Sequence, residues 1–151
     1  MTKFKFKLAT LLKVREAARD ERRAQLAEAL RAEQILAEQQ AELRRELEEL
    51  MDDMRDQTRP GAVNVDTLHE SSRYALLLRA KGQALTKQQE TIKAEVERRR
   101  LLLVESDRQV RVVEKLRERK LEEFNSEEAR REVNRLDEAG AILVHRREAT
   151  A

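Results

Sequence analysis

Adjacent carboxylates recur along this chain, at Glu48-Glu49, Glu122-Glu123 and Asp137-Glu138, and paired acids are what general acid–base catalysis or a hard cation would use. On a helix, neighbours in sequence diverge by about 100° and do not face each other, so these pairs read as solvated surface. His69 and His145 are far apart in sequence, whereas metal or nucleophile chemistry needs converging groups. The run Arg98-Arg99-Arg100 could touch phosphates, but no aromatic residue interleaves it to stack bases. There is no Gly-x-x-x-x-Gly-Lys-Ser/Thr loop and no dinucleotide fingerprint. Cysteine is absent, which excludes disulfides and thiolate metal sites. No catalytic, cofactor-binding or metal-binding residue is therefore assigned, no nucleic acid is expected, and the chain is read as a protein-recognition element rather than an enzyme.

The elements that would carry such recognition follow from composition. Charged residues are 41% of the 151 and aromatics 3%, against about 25% charged in ordinary globular domains. A layered core is not expected. The apolar residues, mainly Leu, Ala and Val, suffice for a narrow seam between helices, and Ala, Leu, Glu, Lys, Arg and Gln favour helix throughout. The sole proline is Pro60, followed by Gly61. Proline removes a backbone donor and blocks the preceding helical turn, while glycine accepts positive φ, so the chain reads as two long helices joined once. The expected fold is all-α: an antiparallel two-helix coiled-coil hairpin forming one domain over residues 1–151. Helix 1 covers about residues 8–55, the turn about 56–66, and a longer helix 2 about 67–147. Whether Pro60-Gly61 is a sharp turn or part of a longer loop is left open.

Positions spaced by alternating threes and fours define the seam: Leu26, Ala29, Glu33, Leu36, Gln40, Leu43, Leu47, Leu50 and Met54 on helix 1. On helix 2 they are Leu78, Gly82, Leu85, Gln89, Ile92, Val96, Arg99 and Leu103, then Val110 and Val113. With equal rise on both arms, facing residues have numbers that sum to about 125, to within one turn. Leu43 then meets Gly82, Leu47 meets Leu78, Ala29 meets Val96 and Leu12 meets Val113. The acidic bias of residues 32–58 against the basic bias of 67–93 favours the same pairing, although each exposed ion pair contributes only about 0 to 1 kcal/mol. Thr67 and Glu70 fit a capping box and mark the expected start of helix 2. Helix 2 is then expected to outrun helix 1 by about 20 residues, or ~30 Å. That excess holds Val133, Leu136, Ile142 and Leu143, which have no partner in the hairpin.

No apolar run approaches the roughly 18 residues of a membrane span, and the start lacks the apolar stretch of a signal peptide. A cytoplasmic protein is expected.

The two ends carry a resemblance. FKFKLATLLKVREAARDERRAQLAEAL, and VVEKLRERKLEEFNSEEARREVNRLDEAGAILVHRR with its Phe124 and Leu136-Asp137-Glu138, resemble the corresponding ends of the FliJ family of flagellar type III export proteins. The segment from Tyr74 to Leu78 resembles the family's aromatic-led start of the second helix. The resemblance implies a small cytoplasmic coiled coil similar to the central stalk of rotary ATP synthases. Its partners would be the hexameric export ATPase, bound by the end carrying both termini, the membrane export gate, reached by the turn-proximal part, and export chaperones. It would act as a monomer peripherally associated with the membrane export apparatus. On this chain the resemblance places ATPase contact on Arg19, Arg22, Arg23, Arg130, Arg131, Asp137 and Glu138. It places export-gate contact on Tyr74, Leu78, Lys81 and Leu85, with Lys81 departing from the small residue the family has there. Leu78 and Leu85 also fit the seam, and the two readings stay open. From the structural class, a homo-oligomeric coiled-coil scaffold without an export role is the alternative.

Overall fold

The structure, a computed structural model, describes residues 3–61 and 63–149, with side-chain surroundings through residue 146. Two helices account for nearly all of it: α1, Ala9–Gln57, and α2, Val65–Ala149, of 49 and 85 residues. They pack antiparallel as a coiled-coil hairpin with a longer second helix. No strand is present among the described residues.

The break between them has a local cause. α1 ends at Gln57 because Arg59, preceding Pro60, is driven out of helical conformation. Its last turn tightens, with the amides of Thr58 and Arg59 donating to the carbonyls of Arg55 and Asp56, both at 3.3 Å. The Thr58 hydroxyl adds a 2.8 Å bond to the Arg55 carbonyl. Gly61 then takes a φ of 157°, which residues with a side chain avoid. α2 starts earlier than the capping-box pattern suggests. Asn64, not Thr67, is the cap: its Oδ1 accepts from the amides of Asp66 at 3.1 Å and Thr67 at 3.3 Å. Asn is among the best N-cap residues, and Thr67 falls inside the first turn instead.

Backbone proximity divides the chain into two units, Met1–Arg19 with Glu105–Ala151, and Asp20–Val104. In the second unit the buried residues are Ala29, Leu43, Ala75, Leu78, Leu85 and Val96. Leu43, Leu78 and Leu85 form one cluster, flanked by half-buried Leu36, Leu47 and Leu50. A carbon added at Gly82 would lie 3.4 Å from Leu43 Cδ2, and the Gln40 amide donates to the Thr86 hydroxyl at 3.3 Å. Both pairs sit at the expected register. The half-buried polar positions of this seam include Glu33, Gln40, Gln89 and Arg99, so apolar layers alternate with polar ones.

Arg99 occupies its layer by reaching across. Its Nη1 donates to the Gln25 carbonyl on α1 and lies 3.4 Å from Glu28 Oε2, while its Nε donates to Glu95 at 2.6 Å. Glu95 also takes two bonds from Arg98, at 2.8 and 2.7 Å. Bonds from Arg98 and then from Arg99 hold the Glu95 carboxyl down to about 2. At the end of α1, Gln57 Oε1 is buried without a hydrogen-bond partner.

In the first unit Leu12, Val110 and Val113 form the core, with Val110 fully buried and Phe6 packed on them. Arg15 donates to Gln109 across the two helices. Ahead of α1, residues 3–7 are non-helical and alternate: Lys3, Lys5 and Lys7 are exposed, Phe4 and Phe6 half-buried. The Phe4 ring meets Phe124 of α2 at 5.7 Å between centroids and 55° between planes. A short aromatic strap thus lies along α2, an element that helix-period reasoning did not anticipate.

Candidate functional site

Two exposed surfaces on α2 carry most of the residues expected to meet partners. The first is on α2 in the unit Asp20–Val104. Tyr74 is 43% exposed, Leu76 and Leu77 are more than 60% exposed, and Lys81 is exposed. Tyr74, Leu77 and Lys81, at i, i+3 and i+7, share one helical stripe. The Tyr74 hydroxyl donates to Glu46 on α1, which orients the ring and raises its pKa, first through that bond and then through desolvation and the Glu46 charge. Leu78 and Leu85, expected alongside them, are only 3% and 8% exposed. Both belong to the seam, one of the two readings the sequence allowed, and a partner cannot reach them while the hairpin is folded. Leu77 was overlooked. The signal was present, since a leucine outside the three-four series of the seam has to face outward.

The second surface is the end of α2. Every residue from 129 to 146 is exposed, and Val133, Leu136, Ile142, Leu143 and Val144 are each more than half exposed. Arg130, Arg131, Asp137 and Glu138 lie on this stretch. Arg131 pairs within the helix, with Glu128 at 3.0 Å and Glu127 at 3.9 Å. Of the α1 residues expected to act with them, Arg19 and Arg22 are half-buried at seam spacing and Arg23 is exposed. Arg22 donates to Gln25 at 3.0 Å, and Arg23 pairs with Asp20 at 3.5 Å. Arg19 falls in the first unit, whereas Arg22 and Arg23 fall in the second.

What these surfaces offer is contact area and charge. Among the described residues no group of three or more His, Asp or Glu is placed to hold a metal ion, and no helix is long and apolar enough to cross a membrane.

Comparison with known proteins agrees with the resemblance seen at the chain's two ends. No curated protein and no solved structure matches the chain. A family model described as flagellar FliJ protein matches residues 4–149. That span takes in α1, the aromatic strap and the exposed end of α2, so the chain belongs to the FliJ family, and its role is related to flagellar export.

Proposed function

We propose that this chain is an accessory protein of the flagellar export machine that binds the hexameric export ATPase and promotes its assembly and activity. It also couples that ATPase to the membrane export gate and handles export chaperones. The observation that carries the reading is the end of α2, where some eighteen consecutive residues expose both apolar and charged groups with no counterpart on α1. A helix end of this kind is suited to a cavity formed by other chains, where Arg130, Arg131, Asp137 and Glu138 supply the polar contacts and Val133 and Leu136 the apolar ones. Arg19, Arg22 and Arg23 complete the ATPase-binding set. Gate contact falls to Tyr74, Leu77 and Lys81, with Leu78 and Leu85 holding the helix that presents them. The chain acts in the cytoplasm, against the membrane export apparatus, and works on the ring as a single copy.

Truncation after Phe124 tests this directly. It removes Val133, Leu136, Asp137 and Glu138 but leaves the buried residues of both units in place. The truncated chain should keep the helicity expected for its length and lose stimulation of the export ATPase. Full stimulation by a folded truncated chain would refute the assignment.

A further inference from the structure

The exposed apolar residues at the end of α2 are ordered. Ala129, Val133, Leu136, Gly140 and Leu143 follow one another by four, three, four and three, the spacing of a coiled-coil seam. Val133 is 55% exposed and Leu136 and Leu143 are 64% exposed, so this seam is unoccupied by the chain itself. It does not continue the one that faces α1. Phe124 is the last aromatic contact of α2 with the strap, and the Val133–Leu136 edge is turned roughly 150° round the helix from it at 100° per residue. A longer α1 running on in the same direction would miss it.

Charge selects the occupant. Arg130 and Asp137 flank the stripe on one side, one heptad apart, with Glu132 on the other. Two copies laid parallel would set Glu132 of each against Asp137 of the other, like against like on both sides. Two copies laid antiparallel, with Val133 against the Leu136 of the other copy, set Arg130 against Asp137 twice and leave Glu132 beside Ala139. Within the chain, among the described residues, neither Arg130 nor Asp137 has a hydrogen bond or ion pair, so both are available for this use. We propose that the partner of this stripe is a second copy of the chain, paired antiparallel through residues 126–143 as a reversible dimer that withholds the end of α2 from other partners.

This goes beyond the export reading and does not depend on it. The dimer covers Leu136 and Asp137, so a molecule in the dimer cannot also offer them to an ATPase ring. Dilution or a competing partner would release them.

Sedimentation equilibrium of the full chain, with no ATPase present, is the test. The wild-type protein should show a monomer–dimer equilibrium that shifts to dimer across roughly 10 to 300 μM, so that a tenfold weaker variant is still read at roughly 1 mM. Arg130→Glu and Asp137→Arg should each weaken dimerisation roughly tenfold, since attraction becomes repulsion at two symmetric contacts. The double variant, which restores opposite charges in the antiparallel register, should recover the wild-type constant. Circular dichroism confirms that each variant remains helical. A wild-type chain that stays monomeric throughout overturns the proposal, and so does strengthened association of Asp137→Arg, which a parallel pairing against Glu132 would produce. Because the readout is self-association, either result leaves the ATPase truncation experiment to stand or fall separately.

Discussion

Leu43 of α1 lies directly opposite Gly82 of α2, at a distance where a methyl group on Gly82 would touch Leu43 Cδ2 at 3.4 Å. That is ordinary van der Waals contact rather than a clash. Glycine inside a helix costs about 1 kcal/mol relative to alanine through backbone entropy, and here it also leaves the seam short of a side chain. Gly82→Ala should therefore stabilise the hairpin by about 1 kcal/mol, read as a higher urea midpoint at unchanged slope.

The aromatic strap makes a prediction of its own. Phe4 meets Phe124 in a tilted pair, an arrangement worth about 0.5 to 1.5 kcal/mol beyond its buried area. Phe4→Ala should release the strap while α1 and α2 persist, because Leu12, Val110 and Val113 form their own cluster. Faster tryptic cleavage after Lys5 and Lys7, with helicity unchanged, is the expected result. A double cycle with Phe124→Ala should return a coupling within that range.

These two contacts differ in how far they could be read from the residues alone. Leu43 opposite Gly82 follows from the three-four spacing and one turn at Pro60, because long periodic segments leave little freedom in an antiparallel register. The strap does not follow. Phe4 and Phe6 alternate with lysines over too few residues to establish a period of two, and nothing in the spacing says that the segment lies on α2 rather than in solvent. At the start of α2, Thr67 with Glu70 matched a capping box, but Asn64 three residues earlier has the higher cap propensity, and its oxygen accepts from two amides at once. On the outer stripe of α2, Tyr74 and Lys81 fall outside the three-four series of the seam and so were legible as exposed positions. Leu78 was ambiguous because one leucine can serve either seam or surface, and only burial decides.

Acid should expose the role of the polar layer around Arg99. The carboxyl of Glu95 is lowered from 4.5 to about 2 by the bonds it accepts from Arg98 and Arg99. Its folded pKa is below its unfolded one, so its contribution is fully present above about pH 4.5 and is lost as pH falls through about 2. Glu95→Gln cannot lose a charge in that window. Its stability should fall less steeply than wild type between pH 5 and 2, approximately, as followed by circular dichroism in urea at each pH.

Comparison of Leu77 with Leu78 separates holding the hairpin from meeting a partner. The two are adjacent on α2, yet Leu78 is 3% exposed in the seam and Leu77 is 63% exposed on the outer stripe with Tyr74. Leu78→Ala removes buried methyl groups and leaves a cavity, a change that costs about 2 to 5 kcal/mol in a well-packed core and falls toward the lower figure in a seam this thin. Leu77→Ala should change stability by less than about 0.5 kcal/mol, as exposed substitutions do. If the outer stripe meets the export gate, Leu77→Ala and Tyr74→Ala should both weaken gate capture while ATPase stimulation and melting temperature hold. Leu78→Ala should impair every activity together by loosening the helix pair. Loss of gate capture in Leu78→Ala with its ATPase stimulation retained, while Leu77→Ala and Tyr74→Ala capture the gate normally, would place gate contact on the seam residue and require the hairpin to open there.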